Sequence, residues 1–333
     1  MPQRTDALTG IQRGNQVILI WPALARNAGE GSVQSIRRVD VYRVAEKPTA
    51  PLPLTEDQFS ARAILIGSVP YDEIRKSGTN LTYTDTLELA GEPARLRYAI
   101  RYVNSAGQRA AFSNFFLMEP AARVAEPPTL TSAGNEYSET AITLKWVAPA
   151  TNIDGSTPVN LLGYNVYRII AGQPQSEPKP LNQEPVIGTE YQDKRFKFGE
   201  KYIYFVRAVS LGTEGRPVES RDSNALPLSQ LDTYKPAAPE ALQAQGAPGR
   251  PARISLFWAA NSEPDLAGYI VYRSTDPTLP PDKWTKLTPP AYTKTTFTDE
   301  NVETGKTYYY YVKAVDNAGN ISEASQMVSE AAP

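Results

Sequence analysis

Three stretches of the chain alternate apolar and polar residues with the two-residue period of a half-buried β-strand. Each stretch ends at a turn, and the clearest lies between Gly305 and Gly319. Their apolar faces hold Tyr308, Tyr310, Val312 and Ala314 in the third stretch, Tyr202, Tyr204, Val206 and Ala208 in the second, and Leu96, Tyr98, Ile100 and Tyr102 in the first. We expect these faces to be buried, because a strand that packs on one side keeps its apolar residues there.

Three further landmarks precede each of these strands in the same order. They are one tryptophan in an alternating strand, a strand that contains Val-Tyr-Arg, and an aromatic-x-Asp triplet. The residues are Trp21, Arg43 and Asp85 in the first copy, Trp146, Arg168 and Asp193 in the second, and Trp258, Arg273 and Asp299 in the third. Four landmarks in one order, three times over, indicate a tandem repeat. We interpret the three aspartates as turn formers rather than catalytic groups, because they repeat with the unit.

At these residues the chain resembles fibronectin type III modules, especially the tandem modules of bacterial surface proteins and lipoproteins. The resemblance covers nearly the whole chain and implies an all-β protein of three tandem immunoglobulin-like antiparallel β-sandwiches. It further implies that each module has a core tryptophan on strand B and a corner tyrosine entering strand F. The implied residues are Trp21, Trp146 and Trp258 for the cores, and Tyr202 and Tyr308 for the corners. The first copy departs from the pattern, with Leu96 at the corner position.

Proline-rich stretches mark the predicted module boundaries. Glu126–Pro128 and Thr233–Pro239 divide the chain into modules at 1–125, 126–235 and 236–333. The first module carries an insertion between strands C and F that begins at Lys47 and resumes a strand at Ala63. We predict that the insertion is a mostly ordered extension of the sheet edge; the alternative is a partner-binding loop.

Composition removes several classes of chemistry. The chain has no cysteine and no histidine, so disulfides, thiolate metal sites and the commonest general base are absent. Its 34 basic and 36 acidic residues give no charge excess that would attract nucleic acid. Nucleophile elbows, phosphate-binding loops and histidine-based zinc motifs are also missing from the sequence. We therefore predict no catalytic site, no cofactor and no metal.

The sequence contains no apolar run of the roughly 20 residues that a membrane-spanning helix needs, and residues 1–10 lack the pattern of a signal peptide. The family resemblance instead implies a location outside the cytoplasm, in the periplasm or at the cell surface. That location would require an export segment removed before Met1, with or without a lipid anchor.

The third module offers a candidate aromatic binding face. Tyr272, Tyr309 and Tyr311 alternate away from the predicted core and should share the outer face of one sheet, with Trp284 at the adjoining edge. Exposed rings of this kind bind protein or carbohydrate partners. Ordinary cross-strand packing on a half-wet face explains the same pattern. Of the two interpretations, we favour cross-strand packing.

Oxygen-bearing side chains should gather at one end of the third module. They are Glu263, Asp265, Asp316, Asn317 and Asn320. Such oxygens bind calcium. Because Asp and Asn are also the residues that turns select for backbone reasons, we interpret this group as turn chemistry.

These observations favour a non-catalytic, extracytoplasmic scaffold or adhesion-type protein that binds an unidentified protein partner, for instance a membrane or surface complex. The alternative hypothesis is a carbohydrate-binding accessory array, with Tyr272, Trp284, Tyr309 and Tyr311 as its sugar platform. An enzyme is the third hypothesis, because two carboxylates suffice for a glycosidase but small sandwiches rarely supply a concave pocket.

Overall fold

The computed structural model of the protein describes residues 4–23, 36–71, 80–88, 93–131, 136–173, 177–249, 251–289 and 291–333. Within these ranges the chain is built almost entirely of β-strands, with one α-helix and two 3₁₀ turns. It forms two compact units, residues 1–229 and residues 230–333. The first unit holds two β-sandwiches and the second holds one.

The first sandwich consists of two antiparallel sheets. One contains β1 (Thr9–Arg13), β2 (Gln16–Pro22) and β5 (Asn80–Thr86), and the other contains β3 (Ile36–Glu46), β4 (Ile64–Pro70), β6 (Arg95–Asn104) and β7 (Phe116–Met118). The second sheet has the order β4-β3-β6-β7, so its long central strands pair with each other.

The second sandwich repeats this plan. One sheet contains β8 (Thr129–Leu130), β9 (Glu136–Tyr137), β10 (Ile142–Val147) and β12 (Glu190–Asp193), and the other contains β11 (Gly163–Ile170), β13 (Lys201–Leu211), β14 (Pro217–Glu219) and β15 (Leu226–Ser229). A 3₁₀ turn, Thr213–Gly215, connects β13 to β14.

The third sandwich forms the second unit. One sheet has the order β16 (Gln243–Ala247), β17 (Arg253–Phe257) and β20 (Thr296–Asp299), and the other has the order β19 (Thr285–Lys286), β18 (Leu266–Ser274), β21 (Thr307–Asp316) and β22 (Val328–Ala331). A second 3₁₀ turn, Pro281–Lys283, precedes β19.

Each sandwich encloses its own apolar core. Trp21, Trp146 and Trp258 lie in three separate clusters, one for each sandwich, and all three are buried. The predicted fold class, three tandem antiparallel β-sandwiches, is confirmed. The module boundaries at 125/126 and 235/236 remain predictions.

The insertion of the first sandwich is ordered and contains a short helix, α1 (Glu56–Arg62). Thr55 and Gln58 form a capping box. The Thr55 hydroxyl accepts from the Gln58 backbone N–H at 3.2 Å, and the Gln58 side-chain oxygen accepts from the Thr55 backbone N–H at 3.0 Å. Phe59 is fully buried against Phe112 and Phe115, which fixes the helix on the sandwich. The sequence pattern did not predict this helix.

Candidate functional site

The predicted aromatic residues of the third sandwich lie together on the outer side of its β18–β21 pair. Tyr272 and Tyr311 are cross-strand partners, and their rings stack with centroids 4.8 Å apart. Trp284 packs on Tyr311 at 4.7 Å. Its indole Nε1–H donates to the Leu279 carbonyl at 3.1 Å, so the 3₁₀ turn before β19 holds the ring in place.

The outer aromatic cluster (Tyr272, Trp284, Tyr309 and Tyr311) is not the open platform that the sequence suggested. Trp284 is 8% exposed and Tyr311 is 6% exposed, because the segment before β19 folds over the sheet and covers the tyrosine. Tyr272 and Tyr309 remain half-buried and reach solvent. Burial raises the pKa of Tyr272 and of Tyr311, so both phenols keep their protons at neutral pH. A ligand would meet two rings here rather than four.

Tyr202 and Tyr308, the expected corner tyrosines, each bond to the chain that precedes their strand. The Tyr202 hydroxyl accepts from the Lys197 amide at 3.0 Å, and the Tyr308 hydroxyl accepts from the Glu303 amide at 3.0 Å. Both rings are buried. Each ring therefore ties the loop before its long strand to the core.

A buried Arg–Asp–Tyr triad recurs in all three sandwiches, and the sequence reasoning missed it. In each triad the aspartate of the aromatic-x-Asp triplet accepts from the arginine of Val-Tyr-Arg and from a tyrosine on the long strand. The triads are Arg43–Asp85–Tyr98, Arg168–Asp193–Tyr204 and Arg273–Asp299–Tyr310. Burial and the hydrogen bond to the carboxylate raise the tyrosine pKa in each case. Each aspartate therefore links two strands of its sandwich and has a structural role. The sequence could have predicted the triad, because the aromatic-x-Asp and Val-Tyr-Arg motifs repeat together in all three modules.

Three carboxylates approach one another in the third sandwich. Oxygens of Asp232, Asp265 and Asp316 lie within 4.8 Å of one another. Of the other predicted oxygen donors, Glu263 instead accepts from the Ala237 amide at 2.6 Å, and Asn320 donates to the Asp316 carboxylate at 2.8 Å. Burial and the neighbouring negative charges raise the pKa of Asp232. The Asp316–Asn320 contacts are those of a polar turn.

The insertion presents an exposed apolar edge on the first sandwich. Leu52 is 61% exposed, and Ile64 and Leu65 of edge strand β4 are each 55% exposed. The insertion is anchored through Arg95 and Arg97. Both guanidinium groups donate to the buried carboxylate of Glu46 at 2.9 Å. The two guanidinium groups also donate to carbonyl oxygens of residues 48, 50 and 52.

The first and second sandwiches are joined through their backbones. Strand β1 pairs in parallel with β14 at Arg13 and Glu219, and the Gly14 amide donates to the Glu219 carbonyl at 2.7 Å. Next to this pairing, within the first module, the Gln12 side chain donates to the Ala121 carbonyl and accepts from the Ala121 backbone amide, both at 2.8 Å. One sheet therefore continues from the first sandwich into the second.

Charged side chains surround this junction. Arg13 pairs with Glu177, and Arg207 pairs with Glu219 at 2.9 Å and with Asp222 at 2.6 Å. The Arg207 guanidinium is buried over the ring of Tyr167, 4.3 Å from its centroid. Burial alone would raise the pKa of Glu219, but hydrogen bonds from neighbours that include Tyr167 and Arg207 outweigh burial and lower the pKa. The Glu219 carboxylate therefore stabilises the second sandwich, while the backbone of Glu219 makes the contact with β1.

None of the helices in the described ranges has the length and apolar character needed to cross a membrane. The chain matches no protein-family profile. Among curated proteins it is similar to exoglucanase B of Cellulomonas fimi (26% identity over 262 residues, 76% of this chain) and to an amylopullulanase of Thermoanaerobacter thermohydrosulfuricus (24% over 293 residues, 75% of this chain). It spans only 21% and 19% of the length of these two relatives.

Two solved structures are also similar. The FN1–FN3 domains of chicken CNTN1 align over 98% of both chains with 14% identity and a TM-score of 0.29. An Fn3-like protein from Clostridium thermocellum aligns over 29% of this chain and 92% of its own, with 33% identity and a TM-score of 0.25. The repeated landmarks and the two-sheet topology give the chain three tandem β-sandwiches similar to fibronectin type III modules.

Proposed function

We propose that this chain is a non-catalytic, extracytoplasmic scaffold that presents its sandwiches to a protein partner in a fixed arrangement. The observation that carries the proposal is the junction of the first two sandwiches. Modules joined only by a linker move relative to each other by default. Here the β1–β14 pairing, the hydrogen bond from the Gly14 amide to the Glu219 carbonyl and the Arg13–Glu177 ion pair join the first module to the second.

A partner needs a surface, and the exposed apolar side chains of Ile64 and Leu65 on edge strand β4 are the first candidate. Exposed apolar patches on a protein surface mark interaction sites. The insertion beneath the edge is locked by the Glu46 cluster and by Phe59, so the edge is already formed before any partner binds. Pre-formed surfaces lose less conformational entropy on binding.

A distance measurement between spin labels tests the fixed arrangement. Because the chain has no cysteine, Ser60→Cys on α1 and Glu139→Cys in the second sandwich give two labelled sites without background. Both positions are exposed. We expect one narrow distance distribution in the whole chain, and a clearly broader one when Arg13→Ala removes the ion pair with Glu177.

Arg4→Ala is the matched control, since Arg4 pairs with Asp6 at an exposed position outside the junction. It should leave the distribution unchanged. A broad distribution in the unaltered junction would refute the scaffold proposal, because two freely moving modules cannot present a partner at a fixed distance.

A carbohydrate-binding accessory role is the second candidate. It is supported by the two relatives, whose names are those of enzymes that act on glucans, and by the half-exposed rings of Tyr272 and Tyr309. Sedimentation of the whole chain with insoluble cellulose and with starch tests it. This role predicts depletion from solution that Tyr272→Ser reverses, whereas the scaffold role alone predicts none.

A further inference from the structure

A cleft of about 1030 Å³ opens beside Arg43, between the first and second sandwiches. Its described lining includes the Arg43–Asp85 pair, apolar walls at Ala94 and Leu96, and Leu211 from the second sandwich. Leu211 is 49% exposed, so the cleft is accessible from solvent. The cleft therefore combines a cation with apolar walls.

The other two sandwiches show what normally covers this arginine. In the second, the Arg168 guanidinium carbon lies 4.6 Å from the centroid of the corner Tyr202 ring. In the third, Arg273 lies 5.2 Å from the centroid of the Tyr308 ring. Both arginines also donate to a main-chain carbonyl, at 2.8 Å each. In both the second and the third sandwich, a corner tyrosine ring therefore covers the guanidinium of the Val-Tyr-Arg arginine.

The first sandwich has the arginine but lacks the ring. Its corner residue is Leu96, which packs into the core. Arg43 keeps its hydrogen bond to Asp85 at 2.7 Å, yet its buried Nε has no hydrogen-bond partner among the described residues. The face of this guanidinium is therefore the place that a tyrosine ring occupies in the sister modules.

We propose that the cleft binds an aromatic side chain, tyrosine above all, of a partner protein, stacked on Arg43 as Tyr202 stacks on Arg168. A guanidinium favours the π-face of an aromatic ring, and the apolar walls favour its edges. The cleft is large enough for the ring and the flanking backbone of an inserted peptide. This inference adds a specific site to the scaffold, which does not itself require the cleft.

The test uses 4-methylphenol, the tyrosine side chain as a free molecule, with the whole methyl-labelled chain. We expect saturable binding in the millimolar range and NOEs from the ring protons to the methyl groups of Leu96 and Leu211. The saturated analogue 4-methylcyclohexanol, which has no π-face, should bind at least about tenfold more weakly. These measurements need no variant and no partner, so they are independent of the spin-label test.

Leu96→Tyr should supply the missing ring from within and abolish binding of 4-methylphenol, whereas the matched Leu96→Met, which adds no ring, should retain it. Three outcomes would overturn the proposal: no saturable binding, NOEs confined to other surfaces such as the ring of Tyr309, or equal affinity for the saturated analogue. Undiminished binding to a folded Leu96→Tyr variant would overturn it as well.

Discussion

Replacing Tyr310 by phenylalanine tests whether the Arg–Asp–Tyr triad stabilises the third sandwich. The substitution keeps the ring and removes one hydroxyl, which donates to the Asp299 carboxylate at 2.9 Å in a buried position. A hydrogen bond to a charged group contributes about 1.5–3 kcal/mol. Asp299 still accepts from Arg273 at 2.9 and 3.1 Å, so the carboxylate is not left unpaired. We therefore expect the lower part of this range, about 1.5–2 kcal/mol.

Hydrogen exchange read by mass spectrometry gives this free energy within the whole chain. The loss should appear as a roughly 10- to 30-fold increase in the opening equilibrium of β21 and β18 amides, since 1.4 kcal/mol is a factor of about ten. Tyr309→Phe is the matched control, because Tyr309 is the neighbouring residue on the half-exposed face. It should change stability by less than about 0.5 kcal/mol. Equal effects of the two substitutions, or no effect of Tyr310→Phe, would show that the triad adds nothing to the stability of the sandwich.

Three further predictions concern charged groups. Glu46→Ala should destabilise the insertion by about 3–5 kcal/mol, because it leaves the buried Arg95 and Arg97 without their carboxylate partner. Amide hydrogen exchange in peptides that cover α1 measures this loss of stability. The folded-state pKa of Glu219 is lowered, so its contribution is complete above the unfolded value of 4.5 and is lost as pH falls through the folded pKa. The opening equilibrium of β13 and β14 amides, measured by hydrogen exchange, should therefore rise in acid. The folded-state pKa of Asp232 is raised above 3.8, so the ionised Asp232 carboxylate destabilises the folded second unit at neutral pH. Asp232→Asn removes this charge and should increase the free energy of unfolding of the second unit, measured in urea at pH 7.

Each of these predictions has a control. Arg62→Ala removes only a 3.5 Å contact of a half-exposed side chain with Glu46 and should cost less than about 1 kcal/mol; a loss as large as that of Glu46→Ala would contradict the first prediction. Glu219→Gln should raise the opening equilibrium of β13 and β14 amides at all pH values, and an unaltered chain in which it does not rise in acid would contradict the second. Asp282→Asn, at an exposed site, should leave the second unit unchanged, and a stability gain equal to that of Asp232→Asn would rule out charge repulsion as the cause.

The fold could be predicted because its signals are local and repeat. Trp21, Trp146 and Trp258 each lie in an alternating strand, and that alternation fixes which face enters the core. The helix α1 was also within reach of the sequence. Thr55 and Gln58 have the spacing of a capping box, but the proline-rich lead from Lys47 obscured it.

The candidate sites were less predictable because they depend on contacts between distant segments. Alternation placed Tyr311 on the outer face correctly, but it could not show that Trp284, far away in the sequence, would cover that ring. The pairing of Arg13 with Glu219 likewise has no local signal, since it depends on how two finished sandwiches meet. The difference between Arg43, whose module has Leu96 at the corner, and Arg168 and Arg273, which lie under corner tyrosines, became apparent only when three copies of one unit could be compared in space.

The pairing of β1 with β14 also sets an order of events during synthesis. Strand β1 leaves the ribosome well before β14, which appears only after residue 219 has been made. Contacts so far apart in the sequence form slowly and late. The first sandwich therefore has its other strands available long before its junction partner exists, and the junction closes by docking two bodies that are already built.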